Sequence, residues 1–116
     1  MRQFSLITGA LLLVACGGAA IPQEQLTSAK AAISGAEVAG APNEPKAALH
    51  LKLAKEQVAK AEALIEDGDN EEAARIIDRA LVDAELALAL ANESKSKTEA
   101  ATTMEQLERL KKETAP

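Results

Sequence analysis

The chain predicts an all-α protein: a three-helix bundle built on an antiparallel helical hairpin with a long C-terminal helix, following a cleaved signal peptide. Three observations carry this. Beyond residue 23, apolar residues recur at alternating intervals of three and four, the helical period. Turn-forming residues gather at 40–45 and at 67–70, which divides the remainder into three segments. Alanine fills 26 of 116 positions and Phe4 is the only aromatic, so the core must be built from small and aliphatic side chains on helices.

Residues 1–15 have the anatomy of a secretory signal. Arg2 and the amino terminus supply positive charge, and Leu6 opens a nine-residue apolar run that ends at Val14. Nine residues span roughly 14 Å as helix, about half a bilayer core, so the run is too short to cross a membrane. Leu13-Val14-Ala15-Cys16 closes it and resembles the lipobox of bacterial lipoproteins. That resemblance implies cleavage before Cys16, the only cysteine, and its acylation, with diacylglycerol and palmitate anchoring the chain in a membrane. Gly17 stands where an aspartate would retain such a protein in the inner membrane of a Gram-negative cell. The resemblance therefore implies outer-membrane sorting, with the domain in the periplasm. A rival cleavage site lies among the small residues at Ala19 and Ala20.

Residues 16–23 read as a flexible tether following the acylated Cys16. The helical domain is expected over 24–113, with helices at about 24–40, 45–67 and 69–113. In the first, Leu26, Ala29, Ile33 and Ala36 fall at 3-4-3 spacing, and the segment from Gly40 to Pro45 ends it. In the second, Ala47, Leu51, Ala54, Val58, Ala61 and Ile65 form a heptad-like seam, widened by Leu49, Leu53 and Leu64. Pro45 is acceptable in its first turn, and Gly68 suits a left-handed cap at its end.

The third helix opens on Asp69-Asn70-Glu71-Glu72, which reads as a capping box with acids at the positive end of the helix dipole. Its expected seam is Ala74, Ile77, Leu81, Ala84, Leu88 and Ala91, with Val82, Leu86 and Leu90 as a second stripe. Residues 86–91 are thus expected to be the most buried stretch. A thin stripe of Met104, Leu107 and Leu110 follows a polar interval. Acid-to-base pairs at i, i+4 (Glu56-Lys60, Glu71-Arg75, Glu93-Lys97, Glu105-Arg109, Glu108-Lys112) mark the solvated faces.

Two arrangements are compatible with these seams. Helix 1 folds back on the hairpin as a three-helix bundle with the end of helix 3 projecting beyond it, or it continues outward and pairs with residues 93–113. The double stripes on helices 2 and 3 favour the bundle.

Residues 39–42, the run Leu64-Ile65-Glu66-Asp67-Gly68-Asp69, and Ala80-Leu81-Val82-Asp83-Ala84-Glu85-Leu86-Ala87 together resemble the domain of unknown function 4398 family over about 24–101. The resemblance implies a small Ala-rich helical domain of Gram-negative lipoproteins. Some relatives carry an OmpA-like peptidoglycan-binding domain, which this sequence lacks. A similarity to half a tetratricopeptide repeat at 68–81 has no second copy at a 34-residue period.

The sequence offers little chemistry. His50 is the only histidine, and beyond Cys16 there is no cysteine, so no zinc ligand set assembles within one chain. His50 reads as a surface or boundary residue. Asp67-Gly68-Asp69-Asn70-Glu71 lacks the glycine and terminal glutamate of a calcium loop. No phosphate loop or nucleophile elbow is visible, so no catalytic residue, metal or cofactor is expected. The formal charge of −5 becomes −6 without Arg2, which with the missing aromatics argues against nucleic acid.

The function expected is therefore a non-catalytic outer-membrane lipoprotein, held to the membrane at Cys16. Its helices would engage a periplasmic or outer-membrane protein or organise the envelope. A structural spacer resembling the murein lipoprotein is the alternative, though Glu113-Thr114-Ala115-Pro116 lacks that protein's C-terminal lysine. The residues fix no oligomeric state.

Overall fold

A computed structural model describes residues 18–116; the signal segment and Cys16 lie outside the described residues. Three α-helices follow one another: α1 (Gln23–Val38), α2 (Pro45–Glu66) and α3 (Asn70–Thr114), with a single 3-10 turn (Ala41–Asn43) between the first two. They form a helical bundle in which α1 and α2 both pack along α3. Of the two arrangements open to the sequence, helix 1 takes the bundled one.

Helix direction follows from the cross-links. Lys30 pairs with Glu62 and Glu37 with Lys55, so α1 and α2 run antiparallel. The α2–α3 turn reverses the chain again, leaving α1 parallel to α3. At the turn end of the bundle, Asn70 Nδ2 donates to the Ala19 carbonyl at 3.0 Å and Pro22 is buried. Residues 19–22, expected as part of a flexible tether, thus lie against the bundle.

The turn is well defined chemically. The Gly68 N–H donates to the Ile65 carbonyl and the Asp69 N–H to the Leu64 carbonyl, the paired bonds of a Schellman motif. Gly68 carries the left-handed conformation this requires, with φ +82°. Asp69 caps α3 by accepting from the Glu72 N–H at 3.4 Å. Only half of the expected capping box forms. The Asp69 N–H is already committed to Leu64, so the Glu72 carboxylate turns outward to Arg75.

The seams of α1 and α2 match expectation. Leu26, Ala29, Ile33 and Ala36 are buried, as are Ala47, Leu51, Ala54, Val58 and Ala61, with Ile65 half-buried. The widening of α2 is partial: Leu53 and Leu64 are half-buried, whereas Leu49 is exposed.

On α3 the expected seam is displaced. Ala73, Ile77, Ala80, Ala84, Ala87 and Ala91 form the buried line, accompanied by Ile76. Ala74, Leu81 and Leu88, expected inside, are only half-buried. The second stripe divides likewise: Leu90 is half-buried, but Val82 and Leu86 face solvent. Residues 86–91 are therefore not the most buried stretch. The reason is size: α3 has neighbours on two sides, so the smallest side chains occupy its centre line and leucines take the shoulders. Eleven of the seventeen core residues are alanine, which lets helix axes approach toward the lower end of the usual spacing of roughly 8–10 Å.

Beyond Ser94 every residue of α3 is exposed. Residues 95–114 form a projecting arm, about 30 Å long at 1.5 Å per residue. It leaves the bundle at the end opposite Ala19, where the corner after α1 meets α3 around Ala91 and Ser94.

Candidate functional site

Two features stand out on this frame, a polar cluster on the α2–α3 seam and the exposed arm. The cluster begins with His50, whose Nδ1 lies 2.8 Å from Asp83 Oδ1. An ionised carboxylate only accepts, so Nδ1 carries the proton in this pair. Gln57 Nε2 donates to the other oxygen, Asp83 Oδ2, at 2.9 Å. His50 and Gln57 are two helical turns apart on α2, so both reach one carboxylate of the facing helix. The His50 side chain is 28% exposed and that of Asp83 19%. Gln57 Oε1 is buried without a partner, so the Asp83 bond alone orients the amide.

A histidine held by a carboxylate has the form of a general-base pair, but its surroundings do not supply the rest. Residues 44–93 contain no Ser, Thr, Cys or Tyr, so this stretch of the seam offers no hydroxyl or thiol nucleophile beside it. An open groove beside it is lined by Gln57, Asp78, Arg79, Val82 and Asp83. Among the described residues no group of three His, Cys, Asp or Glu side chains is placed to hold a metal ion. What the arrangement does chemically is fasten α2 to α3: one carboxylate, two donors, one register. His50 is thus a boundary residue, as its sequence position suggests, with a specific partner 33 residues away that no local pattern reveals.

The arm presents the opposite chemistry. Met104 is 65% exposed, Leu107 53% and Leu110 56%, all on a helix with no neighbour. Much of its remaining surface is polar, and part of it is internally paired. Glu93 pairs with Lys97 at 2.6 Å and Glu105 with Arg109 at 3.3 Å, whereas no ion pair forms between Glu108 and Lys112. On α2, Glu56 reaches Lys52 at 3.8 Å rather than Lys60. The hydroxyls of Thr98, Thr102, Thr103 and Thr114 each bond the carbonyl four residues back. Lys97 draws the Glu93 carboxyl below the ordinary carboxylate range, first through their hydrogen bond. No described helix is long and apolar enough to cross a membrane.

Such an assembly is a small Ala-seamed helical bundle with an extended terminal helix. The family model of the Domain of unknown function (DUF4398) matches residues 24–103, and the chain belongs to that family. The match covers all but the first residue of α1, all of α2, and α3 to the middle of the arm. No curated protein and no solved structure matches the chain. Cys16, the one site residue expected from sequence, lies outside the described residues.

Proposed function

We propose that this protein is a non-catalytic lipoprotein of the outer membrane, acylated at Cys16, whose bundle holds the α3 arm as a docking surface for protein. The observation that carries this reading is the arm: three large apolar side chains, each more than half exposed, on a helix that touches nothing. A lone stretch of apolar-striped helix gains little by itself, because helices draw most of their stability from packing an apolar face. Covering that stripe is a favourable step open to a partner.

Docking through the arm would have a direction. Ala19 sits at the turn end of the bundle, and the arm leaves from the other end. An anchor at Cys16, three residues before Ala19, would hold the turn end near the lipid. The arm tip would then point away from the membrane, about 66 Å along α3 from Asn70. The partner expected is an envelope protein reached at that height; nucleic acid is disfavoured by the acidic balance.

Two measurements test the reading. Mass spectrometry of the mature protein should show a lipid-modified Cys16 at its N-terminus, and Cys16→Ser should accumulate as precursor. Crosslinking in intact envelopes should yield adducts that Leu107→Glu with Leu110→Glu abolishes. Normal processing of Cys16→Ser removes the anchor from the account, and unchanged adducts in the double variant remove the arm.

A further inference from the structure

Residues 19–22 enter α1 along a fixed path. Pro22 is buried, its carbonyl accepts from the Leu26 N–H at 3.0 Å, and the Gln23 N–H donates to the Ile21 carbonyl at 2.8 Å. The proline ring holds φ at −79° and biases Ile21 toward extended backbone. Three residues earlier, Asn70 Nδ2 donates to the Ala19 carbonyl at 3.0 Å, a contact between positions 51 apart in the chain. The segment is thus fastened at both ends, by a seated ring and by one amide.

The identity of residue 70 follows from that contact. From Asp67 to Glu72, every residue except Gly68 and Asn70 is an acid. Ionised carboxylates accept and do not donate, so none of those acids can hold a carbonyl oxygen. Asn70 supplies the one side-chain donor of this run, and its amide serves nothing else. Among the described residues Nδ2 has the Ala19 carbonyl as its partner, and Oδ1 is buried with none. Asn70 is also the first residue of α3, where an acid suits the helix dipole better and asparagine is a weak helix former. The side chain at this position favours the strap over the helix.

The contact changes how the bundle would hang from an anchor. From Ala19 back to Cys16 the chain has three residues, at most about 10 Å when fully extended. From Gln23, where α1 begins, it has seven, at most about 25 Å. Fastening Ala19 at the turn therefore takes more than half of that leash out of use. It also moves the point of attachment from the start of α1 onto α3, the helix that carries the arm.

We infer that Asn70 is a positioning residue that clasps residues 19–22 as a strap, and so ties the membrane anchor to the first turn of the helix whose far end is the arm. With the clasp closed, one continuous helix spans the distance from anchor to arm tip, and the arm is presented at a set height. With it open, the bundle hangs from α1 on a leash more than twice as long, and that height is lost. The clasp stands on contacts within the chain; its effect on height rests on the lipid anchor at Cys16 proposed above.

Two measurements test the two halves separately. The first uses the full chain carrying Cys16→Ser, with spin labels at the exposed positions Ala20→Cys and Lys60→Cys. Pulsed dipolar spectroscopy should give one narrow distance peak. Asn70→Asp keeps the size of the side chain and removes the donor, so the narrow peak should be lost while helicity and melting temperature hold or rise. Asn70→Ala should lose it likewise. A broad distribution in the parent, a narrow peak that survives either variant, or a loss of bundle helicity in both overturns the clasp. In the second, the acylated protein carrying a donor dye at Glu66→Cys is placed in vesicles of phosphatidylethanolamine and phosphatidylglycerol with an acceptor dye on the headgroups. Energy transfer should fall on Asn70→Asp, as the turn end gains leash. Transfer that is equal or higher in the variant overturns the strap's control of height. A Cys16 without lipid, leaving the protein off the vesicles, overturns the anchor and the height with it, while the first measurement still decides the clasp.

Discussion

Gly68 and Asp69 have different tasks at the hairpin turn, and their replacement should show it. Gly68 holds φ +82°, a conformation that costs an L-residue about 1–2 kcal/mol, so Gly68→Ala should lower stability by that amount. The Asp69 bond to the Glu72 N–H is long at 3.4 Å, so Asp69→Ala should cost about 0.5–1 kcal/mol, the low end for a cap. Thermal melts of the two variants should rank in that order. Gly35 behaves oppositely. It sits inside α1, and a methyl added there meets nothing within 4 Å, so Gly35→Ala should stabilise by about 0.5–1 kcal/mol. Gly68 and Asp69 were legible because turns and caps are written in adjacent residues. Glu44, whose carboxylate accepts from the Ala47 N–H to cap α2, was not, because glutamate is outside the usual capping set. The His50–Asp83 pair was not legible either, since its partners share no helix.

At the level of elements, α3 shows where periodicity stops being informative. Ala73 and Ala74, or Ala87 and Leu88, serve a 3-4 repeat equally well, so the pattern alone admits neighbouring phases. Packing chooses between them by size, and alanine wins the centre line because two helices close on it. It follows that Ala84→Leu should overpack the bundle and cost about 1–3 kcal/mol, while Ala101→Leu on the exposed arm should change stability by less than about 0.5 kcal/mol. The seams of α1 and α2 were readable because each has one dominant phase. Acid should also loosen α3 locally. The Arg75 hydrogen bond holds the Glu72 carboxyl below its ordinary range, as Lys97 does for Glu93. A carboxyl whose folded value is lowered contributes stability above its unfolded value and loses it as pH falls through the folded one. Helicity of the wild type should therefore decline on acidification through the carboxylate range more than that of Glu72→Gln with Glu93→Gln, as circular dichroism against pH would show.

Across the whole molecule, the bundle fixes a direction. Its turn end gathers Ala19, Pro22 and Asn70, and its far end releases a helix of about 30 Å with no core of its own. The length of α3 was plain from the absence of Gly and Pro between Glu71 and Ala115. That its end would project was expected of only one of the two arrangements the seams allowed, and the fold-back of α1 along α3 decides between them and shows where the bundle ends. The central claim is that the arm binds protein through its apolar stripe and not through its charged back. A photo-crosslinking residue at Leu107, compared with one at Glu105 two residues and about 200° away, reads this most directly in intact envelopes. The account predicts a discrete protein adduct from position 107 and little from 105. Equal labelling from both positions, or none from either, would contradict it.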